Sequence, residues 1–244
     1  MGEADMAWSE RKTGYGKGHY FNQMGLAVLV LVFLIALPLA FLPEDIRKFY
    51  LSEGGPIEVF SAAGYLIIVA TLVREMPYRE LLKRWYLVAI PIAMCLRELD
   101  FHAHFTTHNI TKTTLYVSPD VPLLEKLIGA TVVIALGAAF YLLLKNGLRS
   151  FVHGLRHGEA TAVAIAAAIG CAVLSKVIDG APSNLTFLGI HLARNDTSTV
   201  FEEILELGIP VYLAIAAFAA FPTQDGLTRR AAGQVAPNKP GSVT

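Results

Sequence analysis

The sequence predicts an all-α, polytopic integral membrane bundle with six transmembrane helices. Hydrophobic residues make up 54% of the 244-residue chain and charged residues only 16%, against about 25% charged residues in a soluble domain. Six apolar stretches also approach the roughly 20 residues that a helix needs to cross a bilayer. The formal net charge is zero, so no nucleic-acid partner is expected.

Each predicted span is an apolar run that contains few charges. The clearest, Met24–Leu42, contains none, and it follows a polar segment, 1–23, that we expect on the cytoplasmic side. Glu58 interrupts the second run and Glu206 the last. Residues 222–244 are rich in Gly and Pro and are predicted to form a disordered cytoplasmic tail. The transmembrane domain, 24–221, has expected spans at about 24–42, 57–73, 84–102, 125–144, 160–178 and 203–221.

The third span is too short to cross a membrane on its apolar residues alone. Only Trp85–Leu96 separates Arg84 from Arg97, and this run covers about 18 Å of a bilayer core that is about 30 Å thick. A helix over 84–102 therefore carries Arg97, Glu98 and Asp100 to membrane depth. Ionisable groups at that depth are costly and are usually functional.

The distribution of basic residues predicts the orientation. Lys and Arg are more numerous in the segments on the same side as the N-terminus than in the other loops. Because cytoplasmic loops carry the excess of positive charge, we expect both termini in the cytoplasm. The expected location is the inner membrane of a bacterium.

With this topology, polar residues from several helices meet at the extracytoplasmic end. The acids outnumber the bases, and such a surplus is relieved by a bound cation or by protonation. The alternative is a structural layer of interhelical ion pairs and snorkelling charges. The predicted pocket contains Glu58, Arg97, Glu98, Asp100, His102, Ser175, Lys176, Asp179, Glu203 and Glu206.

One part of this pocket has the chemistry of a metal site. Asp100 and His102 lie in an Asp-x-His-x-His sequence, and carboxylate with imidazole suits zinc or another divalent transition metal. The expected ligands are Asp100, His102 and either Glu203 or Glu206. If the third helix continues to His102, then Glu98 and His102 share a face.

Three functions are consistent with the pocket. The first is a metal-assisted hydrolase that acts on a lipid head group, with Glu98 as general base and Arg97 or Lys176 stabilising the anionic group. The second is an ion- or proton-coupled transporter of small solutes, and the third is an accessory membrane subunit with a structural charge layer. The sequence has no Walker motif, dinucleotide fingerprint or mid-membrane histidine pair, so neither a nucleotide nor a haem is expected.

Two further patterns make structural predictions. Gly64 and Gly208 lie inside predicted spans, where small residues permit close helix packing. His153 and His157 lie near Arg149 and Arg156. These four residues predict a basic, lipid-facing loop on the cytoplasmic side.

Overall fold

The computed structural model describes residues 17–52, 54–101, 110, 112–186 and 196–221, and it contains no β-strand in these ranges. The described chain forms helices joined by short connections. In chain order they are α1 (Lys17–Phe41), α2 (Glu44–Tyr50), α3 (Pro56–Glu75), α4 (Tyr78–Lys83), α5 (Tyr86–Glu98), α6 (Thr113–Val117), α7 (Leu123–Arg156), α8 (Ala160–Thr186) and α9 (Asp196–Ala220).

Five helices are long and apolar enough to cross a membrane, which confirms the all-helical, multi-pass character that the sequence predicts. Because the helix over 84–102 is not among them, the count of six spans is not confirmed. The cytoplasmic orientation of the termini stays a prediction. The five candidate spans are Gly18–Phe41, Pro56–Glu75, Leu123–Arg156, Ala160–Asp179 and Thr197–Ala220.

The bundle is organised around α9, which packs against α8, α3 and α1. One apolar cluster joins α1, α8 and α9 around Leu31, Cys171 and Ile204. A second joins α3, α5 and α9 around Tyr65 and Cys95. In the described part of the chain, the long helix α7 packs mainly against α5, α8 and the short α6. Most of its apolar surface is therefore exposed.

Glycines permit the closest helix approaches, as the sequence predicts. A Cβ atom on Gly64 of α3 would lie 2.9 Å from the Pro210 Cβ of α9. A Cβ on Gly208 would lie 2.9 Å from the Cys171 Sγ of α8. Neither distance is tolerated without movement, so both crossings depend on the absence of a side chain.

A hydrogen bond also joins α1 and α9 at one end of the bundle. The Tyr20 hydroxyl, near the start of α1, donates a hydrogen bond to the Phe218 carbonyl, near the end of α9, at 3.1 Å. The start of α1 and the end of α9 therefore lie at the same end of the bundle. The start of α9 lies towards the opposite end, and α5 ends beside Glu206, within α9.

Helix α5 is shorter than the sequence predicts. It has 13 residues and ends at Glu98, with Leu99 as its C-cap. Asp100 then adopts a left-handed conformation with φ of 46°, which short polar side chains tolerate and which cannot continue a right-handed helix. The prediction that this helix continues to His102 is therefore wrong, and His102 itself lies outside the described residues.

Candidate functional site

The carboxylate of Glu206 in α9 is the centre of a polar network between three helices. Its Oε2 accepts a hydrogen bond from Arg97 Nη2 of α5 at 2.6 Å. Its Oε1 accepts one from Ser175 Oγ and another from Lys176 Nζ of α8, both at 3.0 Å. Both oxygens of Glu206 are thus engaged by donors, two of which are cationic.

The two basic residues of this network also contact further acids. Lys176 Nζ lies 3.5 Å from Asp179 Oδ2 and 4.0 Å from Glu202 Oε1. Arg97 Nε lies 3.9 Å from Glu98 Oε1, too far for a hydrogen bond. Each base therefore contacts more than one acid, and Glu206 makes the shortest contact with each.

Beside the network lie two carboxylates whose negative charge is less well compensated by basic side chains or hydrogen-bond donors. Glu98 is buried, with 8% of its surface exposed, and its ion pair is the long one to Arg97. Glu203, half-buried on α9, makes neither an ion pair nor a hydrogen bond with any residue in the described ranges. The charges of Glu206, Glu58 and Glu98 all act on Glu203. We call Glu58, Glu98, Glu203 and Glu206 the carboxylate cluster.

Helix α3 presents one face to this cluster. Pro56 begins the helix, and Glu58 in its first turn accepts a hydrogen bond from the Gly54 amide at 2.6 Å. Ser61 and Tyr65 follow at helical spacing on the same side, and each is only 1% exposed. The Tyr65 hydroxyl experiences the charges of Glu98, Arg97 and Glu206.

The hydroxyl of Ser61 is unusual. Its Oγ is buried and has no hydrogen-bond partner in the described ranges, although a buried hydroxyl normally has one. Ser61 and Tyr65 are not among the residues that the sequence predicts for the pocket. The available signal was their position three and seven residues after Glu58, which places all three on one helix face.

In the Glu206 network, the middle part of α9 contacts the end of α5. Along α9, Glu206 is about 15 Å from the helix start at Asp196. Along α5, Arg97 is about 16 Å from Tyr86, and the Tyr86 hydroxyl accepts a hydrogen bond from Asn146 of α7 at 3.3 Å. Glu206 is therefore well inside α9, whereas Arg97 lies in the last turn of α5.

The predicted metal residues are only partly placed. Asp100 follows the end of α5, is exposed, and its charge acts on Glu98. His102 lies outside the described residues. Within the described ranges, no group of three or more His, Cys, Asp and Glu residues is arranged to hold a metal. The set of Asp100, His102 and Glu203 or Glu206 therefore stays a prediction.

No protein family model matches the chain, and no curated protein or solved structure is significantly similar to it.

Proposed function

We propose that this chain is a multi-pass membrane protein that binds a cation at the carboxylate cluster, between Glu98 and Glu203. One observation carries the proposal. These two carboxylates lie within range of other carboxylates, yet neither accepts a hydrogen bond from a described residue. Adjacent like charges of low solvent exposure are unfavourable, and a bound cation removes that cost.

The Glu206 network favours Glu203 over Glu206 as a ligand. Both Glu206 oxygens already accept hydrogen bonds from Arg97, Lys176 and Ser175. A cation on Glu206 has to displace at least one of these donors, whereas a cation on Glu203 displaces none. Glu206 then positions the two basic side chains and thereby holds α5, α8 and α9 in register.

A metal-assisted lipid hydrolase is the enzymatic form of the proposal. A divalent transition metal held by Asp100, His102 and Glu203 would supply Lewis-acid chemistry and lower the pKa of bound water. Glu98, buried beside the cluster, is the expected general base. Arg97 and Lys176, each about half exposed, have free surface for an anionic head group.

The position of Glu206 along α9 and the shortness of α5 favour a second function, ion- or proton-coupled transport. Transporter sites commonly lie near the bilayer midplane, at helices that are unusually short or interrupted. The network lies about 15 Å along α9, and α5 has only 13 residues. In this form, Glu98 and Glu203 bind and release the coupling ion.

The experiment measures the metal content of the purified protein and the increase in its melting temperature when a cation is added. Purified protein is analysed by inductively coupled plasma mass spectrometry, and its melting temperature is measured with Zn²⁺, Mn²⁺, Mg²⁺, Ca²⁺ or Na⁺. Glu98→Gln and Glu203→Gln should abolish the stabilisation by the cation that binds. Glu44→Gln is the matched control, because Glu44 is an exposed acid on α2.

The outcomes separate the two functions. A stoichiometric transition metal that is lost in His102→Ala and in Asp100→Asn supports the hydrolase and directs substrate screens to lipids. Asn is preferred to Ala at position 100 because it tolerates the left-handed backbone. Stabilisation by Na⁺ or by acidification, with cation-dependent flux in vesicles, supports transport. If no cation stabilises the wild type more than Glu203→Gln, the proposed site does not exist.

A further inference from the structure

The C-terminal half of α7 has a basic face that is separate from the carboxylate cluster. Lys145, Arg149 and Arg156 are all exposed and line one groove of about 870 Å³ together with Tyr141 and Leu148. The spacing of these residues places them along one side of the helix. We call Lys145, Arg149 and Arg156 the basic face.

The basic face differs from three other basic residues at this end of the bundle, each of which has an acidic partner. Lys83 and Arg84 lie 3.1 Å and 3.7 Å from Glu80, and Arg74 lies 2.6 Å from Glu75. In contrast, the segment 141–157 contains no Asp or Glu. None of the three residues of the basic face forms an ion pair with an acid in the part of the chain that the structure describes.

The charges also have aromatic and histidine neighbours on the same groove. Lys145 Nζ lies 5.8 Å from the centre of the Tyr141 ring, and the tyrosine remains exposed. His153 and His157 stack with ring centroids 4.1 Å apart. An aromatic ring beside cationic groups at the end of an apolar helix is typical of a membrane interface.

An apolar surface continues directly from the basic face. Ile134 is 72% exposed and Tyr141 is 62% exposed, and the open surface at Gly137 lies between them. Helix α7 has 34 residues and is therefore about 51 Å long, against a hydrocarbon core of about 30 Å. One face of α7 thus passes from an acyl-chain depth to the head-group region.

We propose that the basic face of α7 binds the phosphate head group of an anionic phospholipid of the surrounding membrane. Three cationic side chains that have no acidic partner among the described residues supply the charge complementarity. The exposed apolar surface around Ile134 and Leu148 receives the acyl chains. The sequence predicts a lipid-facing loop in this region, whereas the structure gives a continuous helix to Arg156, which fixes the spacing of the three charges.

The test measures lipid selectivity of the full chain by electron paramagnetic resonance. The protein is reconstituted in phosphatidylcholine vesicles that contain a trace of spin-labelled phosphatidylglycerol or, in parallel, spin-labelled phosphatidylcholine. The motionally restricted fraction gives the relative association of each lipid. For three basic groups, we expect about fivefold preference or more for phosphatidylglycerol at low ionic strength, decreasing as salt is added.

The substituted protein Lys145→Gln, Arg149→Gln and Arg156→Gln should associate equally with both lipids. The charge-preserving protein Lys145→Arg, Arg149→Lys and Arg156→Lys should retain most of the preference. If the neutral protein fails to fold, the charge-preserving protein and the wild type still test the proposal. The preference of both for phosphatidylglycerol should then decrease as salt is added.

The matched control removes three other positive charges at the same end of the bundle. Arg79→Gln, Lys83→Gln and Arg84→Gln change the net charge equally but leave α7 intact. We expect this protein to keep its preference. An equal loss in the control would show a general charge effect and overturn the proposal. Equal restriction of both lipids by the wild type would also overturn it and would assign the basic face to a protein partner.

Discussion

Replacement of Glu206 by Gln should destabilise the bundle far more than the loss of one surface acid. Gln keeps the size of the side chain, but it has one acceptor oxygen instead of two, and if that oxygen keeps the bonds from Lys176 and Ser175, the amide nitrogen cannot accept the 2.6 Å hydrogen bond from Arg97. The bonds from Lys176 and Ser175 lose the charge of the acceptor. The change therefore breaks one charge-assisted bond and weakens two others.

The magnitude follows from these three bonds. A hydrogen bond to a charged group contributes about 1.5–3 kcal/mol, and a neutral one about half as much. The Arg97 and Lys176 side chains are 48% and 58% exposed, which places the loss in the lower part of this range for each bond. We expect a decrease of about 2–4 kcal/mol in the free energy of unfolding, or about 4–16 °C in melting temperature.

The chain contains its own probe for this measurement. Cys95 and Cys171 are both buried free thiols, so a dye that becomes fluorescent on reaction with thiols reports unfolding. Glu80→Gln is the matched control. Glu80 also lies near two basic side chains, Lys83 at 3.1 Å and Arg84 at 3.7 Å, but these pairs are exposed and each contributes roughly 0–1 kcal/mol.

The two results together test the reasoning. If Glu206→Gln melts within about 1 °C of the wild type, or no lower than Glu80→Gln, the Glu206 network does not hold the helices together. A second comparison identifies the cause. Arg97→Gln combined with Glu206→Gln should be less destabilising than the sum of the two single changes, because each single change strands the other partner.

Three further predictions use the same thermal assay. Gly208→Ala should lower the melting temperature because its Cβ would lie 2.9 Å from Cys171 Sγ, whereas Gly137→Ala, which meets open space, should leave it unchanged or raise it; equal effects would contradict the close crossing. Glu203→Gln should not destabilise the cation-free protein, because it removes one of several adjacent carboxylates, and a marked decrease would reveal a structural partner. Asp100→Ala should be less stable than Asp100→Asn, since φ is 46° at this position; the opposite order would contradict the backbone argument.

The sequence was sufficient to predict the long helices but not their ends. Apolar runs with at most a few charges predict α1, α3, α7, α8 and α9, because hydrophobicity over about 20 residues is a direct requirement of the bilayer. Polar turns at helix ends leave no such signal. The apolar run that predicts the fourth span ends at Leu144, while α7 continues to Arg156. The last span is predicted from 203, while α9 begins at Asp196.

The sequence predicts which residues belong to the candidate site, but it does not predict which of them contact one another. Arg97, Lys176 and Glu206 are conspicuous because charges interrupt apolar runs. Their mutual hydrogen bonds depend on the rotation and depth of three helices, which a single sequence does not specify. Ser61 was missed because a small hydroxyl within an apolar helix is common and becomes informative only when its Oγ is found buried without a partner.

The short helix α5 explains why the bundle needs Glu206 and does not explain why it contains the whole carboxylate cluster. Because α5 has only 13 residues, its last turn places Arg97 within the bundle, where an uncompensated charge is costly. Glu206 provides that compensation and also takes up Lys176. Arg97 and Lys176 together carry one more charge than Glu206, so a structural layer requires one further carboxylate, and Glu98, 3.9 Å from Arg97, can supply it. The four acids of the carboxylate cluster nevertheless outnumber these two bases, and this excess is the physical reason to look for a cation at Glu98 and Glu203.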